Sequence, residues 1–216
     1  MNALGIDISK WQPDFNWPTA SRVGIAFAFV KCTQGIATVD PYYAYNWNQS
    51  RQTDILTGAY HWYEPEIEPI RQLDYFMAAL KPHALPPVVD LEDTQNVTSA
   101  YRDNAHKFLM ELEKRVGKRP IIYTSISYWE LYFPHTLAPW AVDYPLWIAN
   151  YRKDAGPLTP LPWAPTNWTF WQFSDKGHGP YYGTDPVRSK QIDLDVYNGT
   201  VDELRTAYAP EGGGTE

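Results

Sequence analysis

The chain has 216 residues, 44% hydrophobic and 20% charged, which suits one soluble domain with a full apolar core. Its net charge of −7 argues against nucleic acid or an anionic membrane surface as a partner, because both reward basic patches. The single cysteine, Cys32, rules out an internal disulfide, and no apolar run approaches the ~20 residues needed to span a bilayer.

Ten Trp and 16 Tyr raise the aromatic share to 16%. Such side chains pair an apolar face with a polar tip, which suits stacking on sugar rings but equally suits a packed core. The segment Met1–Ser9 has no basic stretch leading into an apolar one, so no signal peptide is expected.

Eight apolar runs read as strands: Leu4–Ile8, Ile25–Lys31, Leu56–His61, Pro87–Leu91, Pro120–Thr124, Pro145–Ala149, Thr169–Phe173 and Gln191–Val196. Several are continuously apolar, as parallel strands covered on both faces tend to be. Helical patterns follow the second, third and fourth strands, at 41–53, 68–80 and 99–116. The last of these carries Phe108, Leu109, Leu112 and Val116 on one face and Gly117 as its stop. After the fifth strand the connections are rich in Pro and Trp, and no long helix is expected before 201–207. The pattern predicts an α/β fold, a TIM-like (β/α) barrel of eight strands with few helices in its second half. A single domain would run from residue 1 to 208, with 209–216 and its three consecutive glycines as a tail or linker.

In such a barrel the working residues sit at the C-terminal ends of the strands. Those ends offer Asp7, Lys31 with Thr33, His61, Asp90 with Glu92, Tyr123, Asn150 with Tyr151, Gln172, and Asp193 with Asp195. The sharpest local motif is Val88-Val89-Asp90-Leu91-Glu92, because residues two apart on a strand share a face, about 6.5–7 Å from one Cα to the next. Two carboxyls that close resist joint ionisation, and a protonated acid beside an ionised one is what glycosidic cleavage needs. A solvated acidic cluster at a helix entry explains the same three letters equally well. Asp7 and Asp193 are each open to a second reading as strand-end caps. Taken together, Asp7, Asp90, Glu92 and Asp193 come from strands one, four and eight, and strands one and eight are neighbours in a closed barrel.

No two of the five histidines show metal-ligand spacing with each other or with Cys32, so no metal or cofactor is expected. His61, within Tyr60-His61-Trp62, reads as a pocket wall rather than a general base. Cys32 reads as a buried small hydrophobe. Trp11, Trp62, Trp147 and Trp171 lie at or beside strand ends, where each could line a sugar cleft or merely pack a loop.

Eight landmarks in order then match a known family. They are Gly5-Ile6-Asp7-Ile8-Ser9-Lys10-Trp11-Gln12, Phe29-Val30-Lys31-Cys32-Thr33-Gln34-Gly35, Gly58-Ala59-Tyr60-His61-Trp62 and Val89-Asp90-Leu91-Glu92. Ile121-Ile122-Tyr123-Thr124-Ser125, Pro145-Leu146-Trp147-Ile148-Ala149-Asn150-Tyr151, Phe170-Trp171-Gln172-Phe173 and Ile192-Asp193-Leu194-Asp195-Val196-Tyr197-Asn198-Gly199 complete them. The chain resembles the glycoside hydrolase family 25, or Chalaropsis-type, lysozymes of phage endolysins and bacterial autolysins.

That resemblance implies a flattened, irregular barrel and cleavage of the β-1,4 bond from N-acetylmuramic acid to N-acetylglucosamine in bacterial peptidoglycan. It implies Glu92 as proton donor, Asp90 as its stabilising or orienting partner, and Asp7 and Asp193 as flanking carboxylates. Tyr60, His61, Trp62, Tyr123, Trp147, Asn150, Tyr151, Trp171 and Gln172 would contact substrate. A monomer is expected that accumulates in the cytoplasm and meets the wall on host lysis, with room for a wall-binding domain beyond the present C-terminus. Two departures stand out: Gln34 where the family has an acid, and Asp195 where it has Asn. The chitinase reading lacks an acid two positions before Asp90, where Val88 stands. The reading as a non-catalytic sugar-binding module leaves the four acids without a purpose.

Overall fold

The computed structural model describes residues 1–152, 156–163, 165 and 167–208. Its strands are β1 (Leu4–Ile8), β2 (Phe27–Gln34), β3 (Thr38–Val39), β4 (Leu56–Trp62), β5 (Val88–Asp90), β6 (Ile121–Ser125), β7 (Leu146–Ala149), β8 (Phe170–His178) and β9 (Gln191–Tyr197). Because β1 pairs with both β2 and β9, eight strands close into a barrel and the short β3 stays outside on β2. The helices are α1 (Trp17–Arg22), α2 (Tyr43–Ser50), α3 (Pro69–Ala79), α4 (Tyr101–Val116), α5 (Ile126–Tyr132), α6 (Gly179–Tyr182) and α7 (Val201–Tyr208). This is the α/β barrel expected, with its long helices in the first half. The Gly-rich tail lies outside the described residues.

Helix ends follow local chemistry. Glu68 caps α3 by accepting the Arg71 amide at 2.8 Å, with Pro69 as the first helical residue. α4 stops at Gly117, which takes the left-handed conformation (φ 69°) that a side chain would resist. Short α1, α5 and α6 were not legible, since four to seven residues are too few to establish a helical period.

The two-residue period of each strand sorts side chains into two cores. Ile6, Ile8, Ala28, Val30, Val89, Leu91, Ile122, Ile148, Ile192 and Leu194 face outward into the layer shared with the helices. Phe27, Phe29, Tyr60, Val88, Ile121, Tyr123, Trp147 and Phe170 face inward and fill the barrel. A Cβ at Gly5 would overlap the Phe27 ring, so glycine there makes room for the inner aromatic layer. Leu204 of α7 belongs to this inner core together with Ala3, Ala26 and Phe27 from the strand starts, and Tyr208 packs on Phe170. The last helix therefore plugs the N-terminal end of the barrel and leaves the opposite end open.

One feature departs from a uniformly parallel barrel. β9 runs antiparallel to both β1 and β8, with Asp7 opposite Asp193 and Gln172 opposite Asp195. Asp193 therefore reaches the open end from the first half of its strand, not from its C-terminal end as the all-parallel reading had it, and Asp195 lies one inward position deeper, fully buried. The pairing of β8 and β9 also extends beyond the barrel, through Gly177–Ile192 to His178–Gln191. This extension passes through Ser174-Asp175-Lys176, whose polar run carries no strand signal.

Candidate active site

The open end holds a cavity of about 300 Å³. Its inner lining is Asp7 from β1, Lys31 from β2, Tyr60 and Trp62 from β4, Asp90 from β5 with Glu92 two residues on, Tyr123 from β6, Trp147 from β7, Gln172 from β8 and Asp193 from β9. Its rim is built by Ser9, Trp11, Gln12, Tyr151 and Asp175. A shallower depression continues past Glu92, Tyr123 and Tyr151 to Ser125, Glu130 and Asn150.

The four acids singled out in the sequence thus lie together, as do Tyr60, Trp62, Tyr123, Trp147, Tyr151 and Gln172. Asn150 belongs to the adjoining depression, where its Oδ1 accepts the Leu158 amide. His61 and Trp171 do not line the cleft, and the reason is parity. Each sits one residue from an inward neighbour and so points outward. His61 is fully buried, stacked on Phe108 and hydrogen-bonded to Thr33 and Gln72, and burial lowers its pKa to about 3. Trp171 donates its Nε1 hydrogen to the Asn150 carbonyl and packs on Phe173.

Four lining residues, Lys31, Gln12, Ser9 and Asp175, are absent from the contacts expected from sequence. Lys31 was legible at its strand end but not counted among the contact residues. Lys31 faces inward in alternation with Phe27 and Phe29, and the bulge between Lys31 and Thr33 turns Thr33 outward to His61. The Lys31 side chain enters the cleft. Its ammonium lies 4.5 Å from the Trp62 ring centre and donates to Gln34 Oε1 at 3.0 Å. Gln12 and Ser9 bind each other's backbone in the loop after β1, which presents Trp11 at 70% exposure on the rim. Asp175 comes from the polar extension of β8.

Hydrogen bonds fix the floor. Tyr123 and Tyr151 both donate their hydroxyls to Gln172 Oε1, at 3.0 and 2.8 Å. Gln172 Nε2 in turn donates to Asp7 Oδ2 at 2.7 Å. Trp147 stacks on Phe29 and donates Nε1–H to Asp195 Oδ1 at 2.8 Å. Buried Asp90 Oδ1 and Asp195 Oδ2 have no donor among the described residues.

Burial dominates the electrostatics. It raises Glu92 to about 7, with Lys31 opposing and Asp193 and Asp93 adding to the rise. The driving cause is therefore desolvation, more than the carboxylate pairing inferred from Asp90-Leu91-Glu92. Burial also raises Asp193 to about 6, helped by Asp175. Asp90 is pushed up by burial and by Glu92, against Lys31. Asp7 is pushed up by burial and then by Asp193 and Asp195. With Lys31 as the one cation on the described lining, several acids cannot all be ionised near neutrality. The site combines proton-holding carboxyls, fixed hydrogen-bond donors and exposed aromatic faces, the equipment of acid-assisted glycosidic cleavage.

Comparison with known proteins agrees with this chemistry. The chain matches the family model "Glycosyl hydrolases family 25" over residues 6–181. It is 33% identical to the uncharacterized protein YegX of Escherichia coli K12, over 93% of this chain and 71% of that one. To Lysozyme M1 of Streptomyces globisporus it is 30% identical, over 86% of this chain and 66% of that one. The crystal structure of a bacterial lysozyme from Streptomyces coelicolor superposes with a TM-score of 0.79 at 28% identity, covering 94% of this chain and 95% of that one. The chain is a glycoside hydrolase and belongs to glycosyl hydrolases family 25.

Proposed function

We propose that the protein is an N-acetylmuramidase that hydrolyses the β-1,4 bond between N-acetylmuramic acid and N-acetylglucosamine in bacterial peptidoglycan. The observation that carries this reading is Glu92, a carboxyl raised to about 7 beside the buried Asp90, where the cleft meets the adjoining depression. A carboxyl in that range is protonated in a useful fraction of molecules at neutral pH and can protonate the departing sugar oxygen.

In this reading Glu92 is the general acid. Asp90 orients and stabilises the 2-acetamido group of the bound sugar, which attacks its own anomeric carbon as the bond to the leaving sugar breaks. Glu92, now ionised, then takes a proton from the water that opens the resulting ring and restores the anomeric configuration. Asp7 and Asp193 flank the reacting ring, and Trp62 and Trp11 offer aromatic faces to sugars along the cleft.

Mass spectrometry of digested peptidoglycan tests the bond. Muramic acid at the new reducing ends supports the proposal, and glucosamine there would reassign the enzyme. The free, buried Cys32 is compatible with folding in a reducing cytoplasm before release by host lysis, the localisation we propose. Fractionation of producing cells before and after lysis tests it.

A further inference from the structure

The floor of the cleft contains a contact between acids that ordinary hydrogen bonding does not explain. Asp195 is fully buried, facing inward across from Gly5, one inward position along from the Asp7–Asp193 pair. Trp147 occupies its Oδ1, and its Oδ2 has no N–H or O–H donor among the described residues. What lies within hydrogen-bonding reach is the carboxyl of Asp7, itself buried and already holding the Gln172 amide on Oδ2. Asp193 lies within reach of Asp7 as well, and Asp90 faces it across the cleft. Two ionised carboxylates cannot hydrogen-bond, because each offers only acceptors. In a buried site their repulsion would also be poorly screened.

We propose that Asp7 and Asp195 share one proton across the barrel floor, and that Asp195 is thereby a positioning residue that holds Asp7 at the cleft. The chain Trp147–Asp195–Asp7–Gln172–Tyr123 then runs unbroken from one side of the floor to the other, with a donor and an acceptor at each link. Burial and Asp193 raise both carboxyls, and the Asp7 contact lowers Asp195 as a hydrogen bond from Asp7 would, in keeping with one proton held between them. The shared proton does not depend on which sugar bond is cut; its positioning role rests on the muramidase reading.

Asp195→Asn tests the proton, since an amide can supply permanently the hydrogen that the acid pair must borrow. Infrared spectra at pH 8, above the values for Glu92 and Asp193, should show a weaker protonated-carboxyl carbonyl band in D195N than in the wild type. Asp7→Asn replaces the proton from the other side and should show the same loss, which keeps the test open if D195N fails to fold. Stability adds a second readout. An acid whose proton is held more tightly when folded contributes stability that is present below its unfolded pKa and is lost as pH rises. The melting temperature of D195N relative to wild type should therefore climb between pH 4 and pH 8. An undiminished band, or melting curves that run parallel across that range, would overturn the shared proton.

Positioning is read from rate. Asp195→Leu removes the support of Asp7 and should lower kcat by about ten- to hundredfold, the usual scale for losing a hydrogen bond to a charged group. D195N should restore most of it. Full activity in a folded D195L, or no rescue by D195N, would overturn the positioning role. Should the wild type release no muramic acid ends, the muramidase reading fails while the infrared and melting results still decide the proton.

Discussion

Lys31 and Trp62 form a cation–aromatic pair inside the cleft, the ammonium 4.5 Å from the ring centre. Burial, with a smaller contribution from Lys10, lowers the lysine's pKa against the opposing pull of Asp90, Asp40 and Glu92. The pair therefore joins two parts of the site: the aromatic surface for sugars and the carboxyls that carry protons. A lysine in this setting sets how many of those acids can be charged at once.

Replacing Lys31 with Met tests that role. The amine lowers the pKa of both Glu92 and Asp90, so its loss should move both upward. The alkaline limb of activity should shift to higher pH, while the maximum falls because Asp90 holds its proton more often. An unchanged pH profile would show that Lys31 does not set the charge of the cluster.

Glu92→Gln keeps the size and polarity of the side chain but removes the proton to be donated. Release of reducing ends should fall by about 10²–10⁴-fold with the fold intact. The same variant should gain stability as pH rises. Wild-type Glu92 is raised from 4.5 to about 7, so its contribution is full below its unfolded value and is lost as pH climbs through about 7. At pH 8 the variant should exceed wild type by about 1–3 kcal/mol, with the gap closing toward pH 5. Urea denaturation at the two pH values measures it.

The wild-type pH profile follows from the same groups. Activity needs Glu92 protonated, so kcat/KM should decline as pH rises through about 7. It should decline on the acid side as Asp90, pushed up by burial and by Glu92, takes on a proton and no longer stabilises the acetamido group. A rate still rising well above neutrality would remove Glu92 as the acid.

The tryptophans separate by position. Trp62 and the 70%-exposed Trp11 line the cleft, and replacing either with Ala should weaken substrate use with little change in melting temperature. The burial lost on the sugar face is of order ~1–3 kcal/mol. Trp171 faces the outer layer, so Trp171→Ala should lower stability first. Trp147, stacked on Phe29 and bonded to Asp195, should affect both. Isothermal titration with peptidoglycan fragments, set beside thermal melts, distinguishes the three classes.

Much of this site was legible before any coordinates, because barrel geometry collects strand ends. Asp7, Asp90 and Gln172 are inward residues at such ends, and reading the ends in order finds them. His61 and Trp171 were misplaced because a motif is conspicuous as a run of letters, whereas alternate letters face opposite ways. Asp175 could not be read from its neighbours, since Ser174-Asp175-Lys176 contains no buried residue to impose a pattern. Asp193 was found for an incomplete reason: β9 reaches the mouth with its first half because it runs the other way. The shared proton at Asp195 needed three dimensions, as nothing in Ile192-Asp193-Leu194-Asp195 says what lies across the floor.

The plug formed by α7 bears on how the enzyme can be handled. Leu204 sits among the strand starts, and Tyr208 lies against Phe170, at the end of the barrel away from the cleft. A tether joined after residue 208 would leave from the closed end. The enzyme could then be fixed to a bead or fused to another protein through that point with its cleft still turned toward the polymer.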